Sequence, residues 1–163
     1  MAEPPISYKD LADYFVALSN VTGNLVSNLK LQKLLYYAQA WHLALYGRRL
    51  FEGDFEAWIH GPVLPALYHD YKQFGWKPIE RDDLNETSVE RLENIFGDTL
   101  ISFLSEIVEE YFGLTTYALE QLTRNEDPWR RARQGLNPDA PCSRRIADEW
   151  MKHYYHPFTS QEA

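Results

Sequence analysis

The stretch that decides the fold runs from residue 28 to residue 74 and reads NLKLQKLLYYAQAWHLALYGRRLFEGDFEAWIHGPVLPALYHDYKQF. It holds a strongly apolar run, a break at Gly47, an alternating segment and a second helical segment that begins after Gly61-Pro62. It contains no nucleophile–base pair, no glycine-rich phosphate loop and no cluster of metal-ligand residues. These residues therefore indicate a binding module rather than an enzyme, and we expect no catalytic residue, no cofactor and no metal ion.

The apolar run at the start of this stretch predicts a central helix. Its apolar side chains recur at spacings of three and four residues and extend nearly around the helix, which is typical of a buried element. Gly47 is the expected end, because glycine readily takes the left-handed conformation after a last helical turn. The residues assigned to the structural motif are Leu31, Lys33, Leu34, Leu35, Tyr36, Tyr37 and Trp41 here, with Pro128 and Trp129 farther along the chain.

The segment after Gly47 predicts a short β ribbon. Residues 55–60 alternate apolar and polar side chains, as a half-buried strand does, and residues 50–51 are the expected partner strand. Residues 61–62, Gly-Pro, are expected to turn the chain, because a residue before proline avoids helical angles. A third helix should follow from about Pro65.

The remaining segments are predicted to be helices and connections. Ser7 and Asp98 are expected helix caps, and residues 76–88 a polar, flexible connection. Asp127-Pro128 should begin another helix and Ser143 the last one. The expected fold class is mainly α: a single compact helical domain over residues 1–163, with a core of about 7–155, flexible termini and a short two-stranded ribbon between the second and third helices.

Composition narrows the class of partner. The net charge is −8, which is poorly suited to nonspecific binding of a phosphate backbone, so nucleic acid is an unexpected partner. Six arginines between residues 124 and 145 nevertheless form a local basic patch. A lone cysteine, Cys142, fits a reducing compartment. Since we find neither a signal peptide nor an apolar run long enough to cross a membrane, we expect a cytoplasmic protein.

Several motifs carry a family resemblance. The segments concerned are LKLQKLLYYAQAWHLALYG, EAWIHGPV and LYHDYK, and farther along LEQLTRNEDPW, which ends at Trp129. Together they resemble the Panacea (SocA-like) antitoxin domain over roughly Leu11 to Trp129. The first part is specific, because KLQKLLYY and GPV occur together at the right separation. The chain departs from the family at Arg124, where a histidine is usual. The resemblance implies a mostly helical antitoxin of bacterial, phage or prophage toxin–antitoxin pairs. Such a protein neutralises a cognate toxin by protein–protein binding, and alarmone-synthetase-like translation inhibitors are among those toxins.

We place the partner-binding surface around the Gly-Pro element. The candidate contact residues are Trp58, His60, Gly61, Pro62, Tyr68 and Tyr71. Strand alternation sends Trp58 and His60 outward if their neighbours face the core, and an exposed tryptophan beside tyrosines is typical of an interface hot spot. Burial of Trp58 under a neighbouring helix is an equally good interpretation.

Two alternatives to a simple antitoxin stay open: an adaptor that delivers the toxin to a protease, and a nucleic-acid-binding transcriptional regulator. The sequence does not distinguish a homo-oligomer from a hetero-oligomer with the toxin.

His42, on the apolar helix, is expected to be a hydrogen-bonded core or edge histidine rather than a catalyst. His153 and His156 have the spacing of metal ligands but no suitable third ligand nearby, so we expect no metal there.

Overall fold

The computed structural model describes residues 3–159. Of the termini predicted to be flexible, before residue 7 and after residue 155, only residues 1–2 and 160–163 lie outside that range, and residues 156–159 belong to the last helix. The elements in chain order are α1 (Tyr8–Thr22), α2 (Asn28–Tyr46), β1 (Glu56–Trp58), β2 (Gly61–Val63), α3 (Pro65–Asp70), α4 (Glu86–Phe96), α5 (Asp98–Ile107), α6 (Thr116–Arg124), α7 (Asp127–Ala132) and α8 (Asp148–Thr159). A 3₁₀ turn at Lys72–Phe74 follows α3, and a π-helical turn at Val108–Phe112 continues α5. The predicted fold class, mainly α with one small ribbon between the second and third helices, is confirmed.

Helix α2 forms the centre of the molecule. The Ser27 hydroxyl caps its first turn by accepting from the Lys30 N–H, and Gly47, with φ of 73°, ends it. Its sides pack against α1, α3, α5, α6, α8 and β2. Because neighbours surround it, even its polar residues Gln32, Lys33 and Gln39 are buried.

The ribbon differs from its predicted pairing. Strand β1 pairs antiparallel with β2, and Ala57 lies opposite Pro62, so the prediction that residues 50–51 supply the partner strand is wrong. The backbone N–H groups of residues 50–51 donate instead to the side-chain oxygen of Gln39. Gly61-Pro62 likewise lies within a strand rather than forming the predicted turn, which the two residues before it provide.

Other element boundaries also differ from the predicted ones. The predicted flexible connection already contains the start of α4, because the Asn85 side chain accepts from two N–H groups of the first turn. Gly97, rather than Asp98, precedes α5. The last helix begins at Asp148 and not at Ser143, since residues 144–146 pair with the free edge of β1 through the Ala57 N–H and the Ile146 N–H. Only the last of these shifts comes from a contact between segments far apart in the chain.

The core is rich in aromatic rings. Tyr37 stacks on Tyr111 with ring centroids 4.0 Å apart, and Tyr36 meets Phe55 edge-on. The Glu126 carboxylate accepts hydrogen bonds from the hydroxyls of Tyr37 and Tyr155, at 2.7 Å each, and so ties α2 to α8 beside the start of α7. Large rings supply much of the buried apolar area that stabilises a helical domain of this size.

Candidate partner-binding site

Buried polar side chains of α2 hold the ribbon from one side. Lys33 Nζ donates to the Pro62 carbonyl oxygen at 3.2 Å, and the Leu64 N–H donates to Gln32 Oε1 at 2.9 Å. Gly61 allows this approach, because a Cβ added there would lie 2.8 Å from Lys33 Cε. Sequence reasoning missed the role of Gln32, although a buried glutamine in a nearly all-apolar helix is a signal that a backbone group needs a partner.

Residues of α7 hold the ribbon from the other side. Trp129 is buried, and its indole N–H donates to the Trp58 carbonyl oxygen at 2.8 Å. The neighbouring Arg133 is also buried; it donates to the Ala57 carbonyl oxygen at 2.7 Å, and its guanidinium lies 4.8 Å from the centre of the Trp129 ring. The ribbon is therefore fixed between α2 and α7.

This fixed ribbon presents part of the predicted contact set. Trp58 is half-buried, with its indole N–H donating to Glu56 and its ring edge-on to Tyr68 at 5.0 Å. The exposure of Trp58 thus lies between the two interpretations: Trp129 binds its carbonyl oxygen, and its half-buried side chain lines a groove. His60 is exposed and pairs with Glu120 at 3.1 Å.

The other predicted contact residues lie deeper. Gly61 and Pro62 are buried, so they shape the ribbon and offer little surface to a partner. Tyr71 is only 5% exposed, and its hydroxyl accepts from Arg81 in a separate pocket. The structure thus brings Trp58, His60 and Tyr68 together and leaves Tyr71 apart from them.

Exposed apolar residues that the sequence analysis did not select extend this surface. Trp76 is 81% exposed, Tyr117 71% and Leu25 55%. Two grooves, of about 450 and 440 Å³, adjoin here, and both are lined by Leu29 and Trp76. We call this surface the aromatic face and define it as Leu25, Leu29, Trp58, Tyr68, Trp76 and Tyr117. Exposed tryptophan and tyrosine side chains beside a groove are typical of an interaction site.

Part of the arginine patch makes contacts inside the fold, while Arg130, Arg131, Arg144 and Arg145 are exposed. Arg133 is buried, Arg124 stacks over the Trp129 ring at 5.0 Å, and Arg144 donates to the Gln134 carbonyl oxygen. Arg124, at the position of the usual family histidine, also lies 3.8 Å from Glu120. These contacts give the side chains structural roles.

The titratable groups of the described residues show no metal site. No group of three or more potential ligands was found between residues 3 and 159. His42 is buried; burial lowers its pKa, and its Nδ1 lies 2.7 Å from the Arg48 carbonyl oxygen. Cys142 is a half-buried free thiol. Over the same residues, every helix is too short or too polar to span a bilayer.

Comparison with known proteins assigns the family. The model of the family described as Antitoxin SocA-like, Panacea domain matches residues 31–130, from the body of α2 into α7. Antitoxin SocA of Caulobacter vibrioides (strain NA1000 / CB15N) is 50% identical over 54 residues, which cover 33% of this chain and 29% of that protein. The aligned part is thus under a third of the relative's length, and no solved structure matches the chain. Because the family match covers more than half of its 163 residues, the chain belongs to the antitoxin SocA-like, Panacea-domain family.

Proposed function

We propose that this protein is an antitoxin that neutralises a cognate protein toxin by direct binding through the aromatic face. The family match carries the proposal, because antitoxins define that family. Four of the six residues of the aromatic face lie inside the matched range: Trp58, Tyr68, Trp76 and Tyr117. The proposal assigns the protein to the cytoplasm and gives it no catalytic role.

The chemistry of the aromatic face supports a protein partner. Trp and Tyr are enriched among the residues that dominate binding energy at protein interfaces. The ribbon beneath Trp58 is held by Lys33 and Trp129, so little conformational entropy is lost there on binding. The structural use of Arg124 and Arg133 leaves less positive charge for a phosphate backbone, which favours a toxin over nucleic acid as the partner.

The test uses the toxin encoded beside this gene, with alarmone-synthetase-like proteins as the first class to examine. Trp58→Ala, Tyr68→Ala, Trp76→Ala and Tyr117→Ala are each co-expressed with that toxin. Ile95→Ala is the matched control, because Ile95 is 57% exposed and lies outside the aromatic face. We expect at least one face variant to lose about 2 kcal/mol of binding, as a hot-spot residue does, and to fail to restore growth. Full growth in all four folded variants would show that the toxin binds elsewhere.

A second measurement separates direct neutralisation from delivery to a protease. We expect the purified protein to inhibit the purified toxin without any protease, and the half-life of the toxin in cells to stay the same when the antitoxin is present. A toxin that is degraded faster in the presence of this protein, and is not inhibited by it in vitro, would instead identify an adaptor.

A further inference from the structure

A second groove, lined by both apolar and acidic side chains, lies at the other end of α2. Its volume is about 610 Å³, and it is bounded by the end of α2, by α5 with its π-helical turn, and by the end of α8. Three of the apolar side chains that line it are strongly exposed: Leu45 at 41%, Tyr46 at 51% and Phe158 at 47%. Leu29 of the aromatic face and Leu45 of this groove are about 24 Å apart along the helix, from a rise of ~1.5 Å per residue. The two surfaces are therefore separate.

Side-chain contacts hold the floor of this groove together. The Trp41 indole N–H donates to the Tyr111 hydroxyl at 2.7 Å, and the Tyr111 ring stacks on Tyr37. Phe103 packs edge-on against His42 and Tyr46. The π-helical turn that carries Tyr111 is a rare element, and such turns occur frequently at functional sites. The groove is thus a preformed concave surface.

One edge of the groove is acidic. Glu106, Glu109 and Glu110 all line it and are all exposed. None of the three forms an ion pair with another described residue, and none of the lining residues is a lysine or arginine. Glu106 lies on α5 and the other two on its π-helical turn, and all three line the same groove. An apolar floor thus lies beside a row of negative charges without counter-charges.

We infer that this groove binds a cationic amphipathic helix of a partner protein. Apolar residues of such a helix, at spacings of three and four, would fill the floor between Trp41 and Phe158, as in other helix-in-groove complexes. Its lysines or arginines would face the three glutamates, because unpaired carboxylates of one sign select a partner of the opposite sign. The inference does not depend on the antitoxin proposal, since the groove shares no residue with the aromatic face.

The test uses a synthetic peptide of about 18 residues, long enough to hold helical structure. It carries leucines at spacings of three and four on one side and lysines beside them; a second peptide has glutamates in place of the lysines. Binding to the full chain is measured by calorimetry. We expect E106Q/E109Q/E110Q to weaken binding of the lysine peptide at least about five-fold through three lost surface ion pairs. L45S/F158S should weaken it about ten-fold through lost apolar contact.

The control variant E80Q/D82N/E90Q removes the same charge from exposed residues elsewhere. If it weakens binding as much as the groove triple variant, the attraction belongs to the net charge and the inference fails. If the glutamate peptide binds as well as the lysine peptide, charge does not select the partner and the inference also fails. Sedimentation should show a monomer. A dimer that dissociates in L45S/F158S would also overturn the inference, because a second copy would then cover the groove. If the groove variants lose toxin neutralisation and the aromatic-face variants keep it, the aromatic face is not the toxin-binding site. The inference about the groove is then decided by the calorimetric result.

Discussion

Replacing Lys33 with methionine should remove a pH dependence that the buried amine builds into the stability of the fold. Lys33 is fully buried in α2, and its ammonium group donates to the Pro62 carbonyl oxygen. Burial lowers the pKa of Lys33 to about 7, and the attraction of the Glu120 carboxylate offsets only part of that effect. In the unfolded chain the pKa of a lysine is about 10.4.

The direction of this pH dependence follows from the proton that the chain takes up on unfolding. Between pH 7 and about 10.4 the unfolded chain keeps a proton on Lys33 that the folded chain has lost, so unfolding takes up a proton and stability rises with pH. Below pH 7 both states are protonated, and the cost of the buried charge is fully present. A pKa of about 7 in the folded state corresponds to a gain of roughly 2–3 kcal/mol between pH 6 and pH 9.

The assay is urea unfolding of the parent and of Lys33→Met at several pH values from 6 to 9. Methionine cannot titrate, so the free energy of unfolding of the parent should rise by roughly 2–3 kcal/mol relative to the variant. The corresponding change in melting temperature is about 5–10 °C for a chain of this size. The difference between the two proteins cancels contributions that they share, including His42, whose pKa burial lowers.

Lys72→Met is the matched control, because it makes the same substitution at an exposed lysine. Its stability should follow that of the parent at every pH. Parallel curves for the parent and Lys33→Met, within about 0.5 kcal/mol, would show that Lys33 does not lose its proton in this range and would refute the reasoning.

Three further substitutions test the packing beneath the aromatic face. Leu34→Asp buries an unpaired charge in α2 and should cost several kcal/mol, so that a cooperative melt near the parent temperature would contradict the burial of this helix. Trp129→Ala should cost about 3–5 kcal/mol in urea unfolding, and a loss under ~1 kcal/mol would contradict its anchoring role. Gly61→Ala places a Cβ 2.7 Å from the Thr123 hydroxyl, at a φ of 102°. It should destabilise the fold more than Gly75→Ala, where φ is also positive but no atom lies within 4 Å of the added Cβ. Equal losses of stability in the two variants would refute the close contact at Gly61.

The central helix was predictable because its signals are local. A run of apolar residues at helical spacing and a glycine after its last turn predict α2 and its end at Gly47 without knowledge of any neighbour. The Asp127-Pro128 pair gave the start of α7 to within one residue, since Glu126 is the residue before the helix. The fold class follows from these helices.

The ribbon pairing was not predictable in the same way, because its hydrogen bonds come from distant parts of the chain. Residues 50–51 look like a strand, but Gln39 satisfies their backbone N–H groups. The free edge of β1 pairs with residues 144–146. The exposure of Trp76 was equally hidden, since its place in a polar stretch does not reveal which helices lie beside it.

The ribbon of this chain is held by residues from both of the separated motifs. The family match begins in α2 and ends in α7, and these two helices supply Lys33 and Trp129, which hold opposite sides of the ribbon. Neither helix alone fixes both strands, because Lys33 bonds the β2 backbone and Trp129 bonds the β1 backbone. Under the antitoxin proposal, the buried residues of both motifs therefore keep Trp58 in place, while toxin specificity can change through exposed neighbours such as Trp76 without loss of the fold.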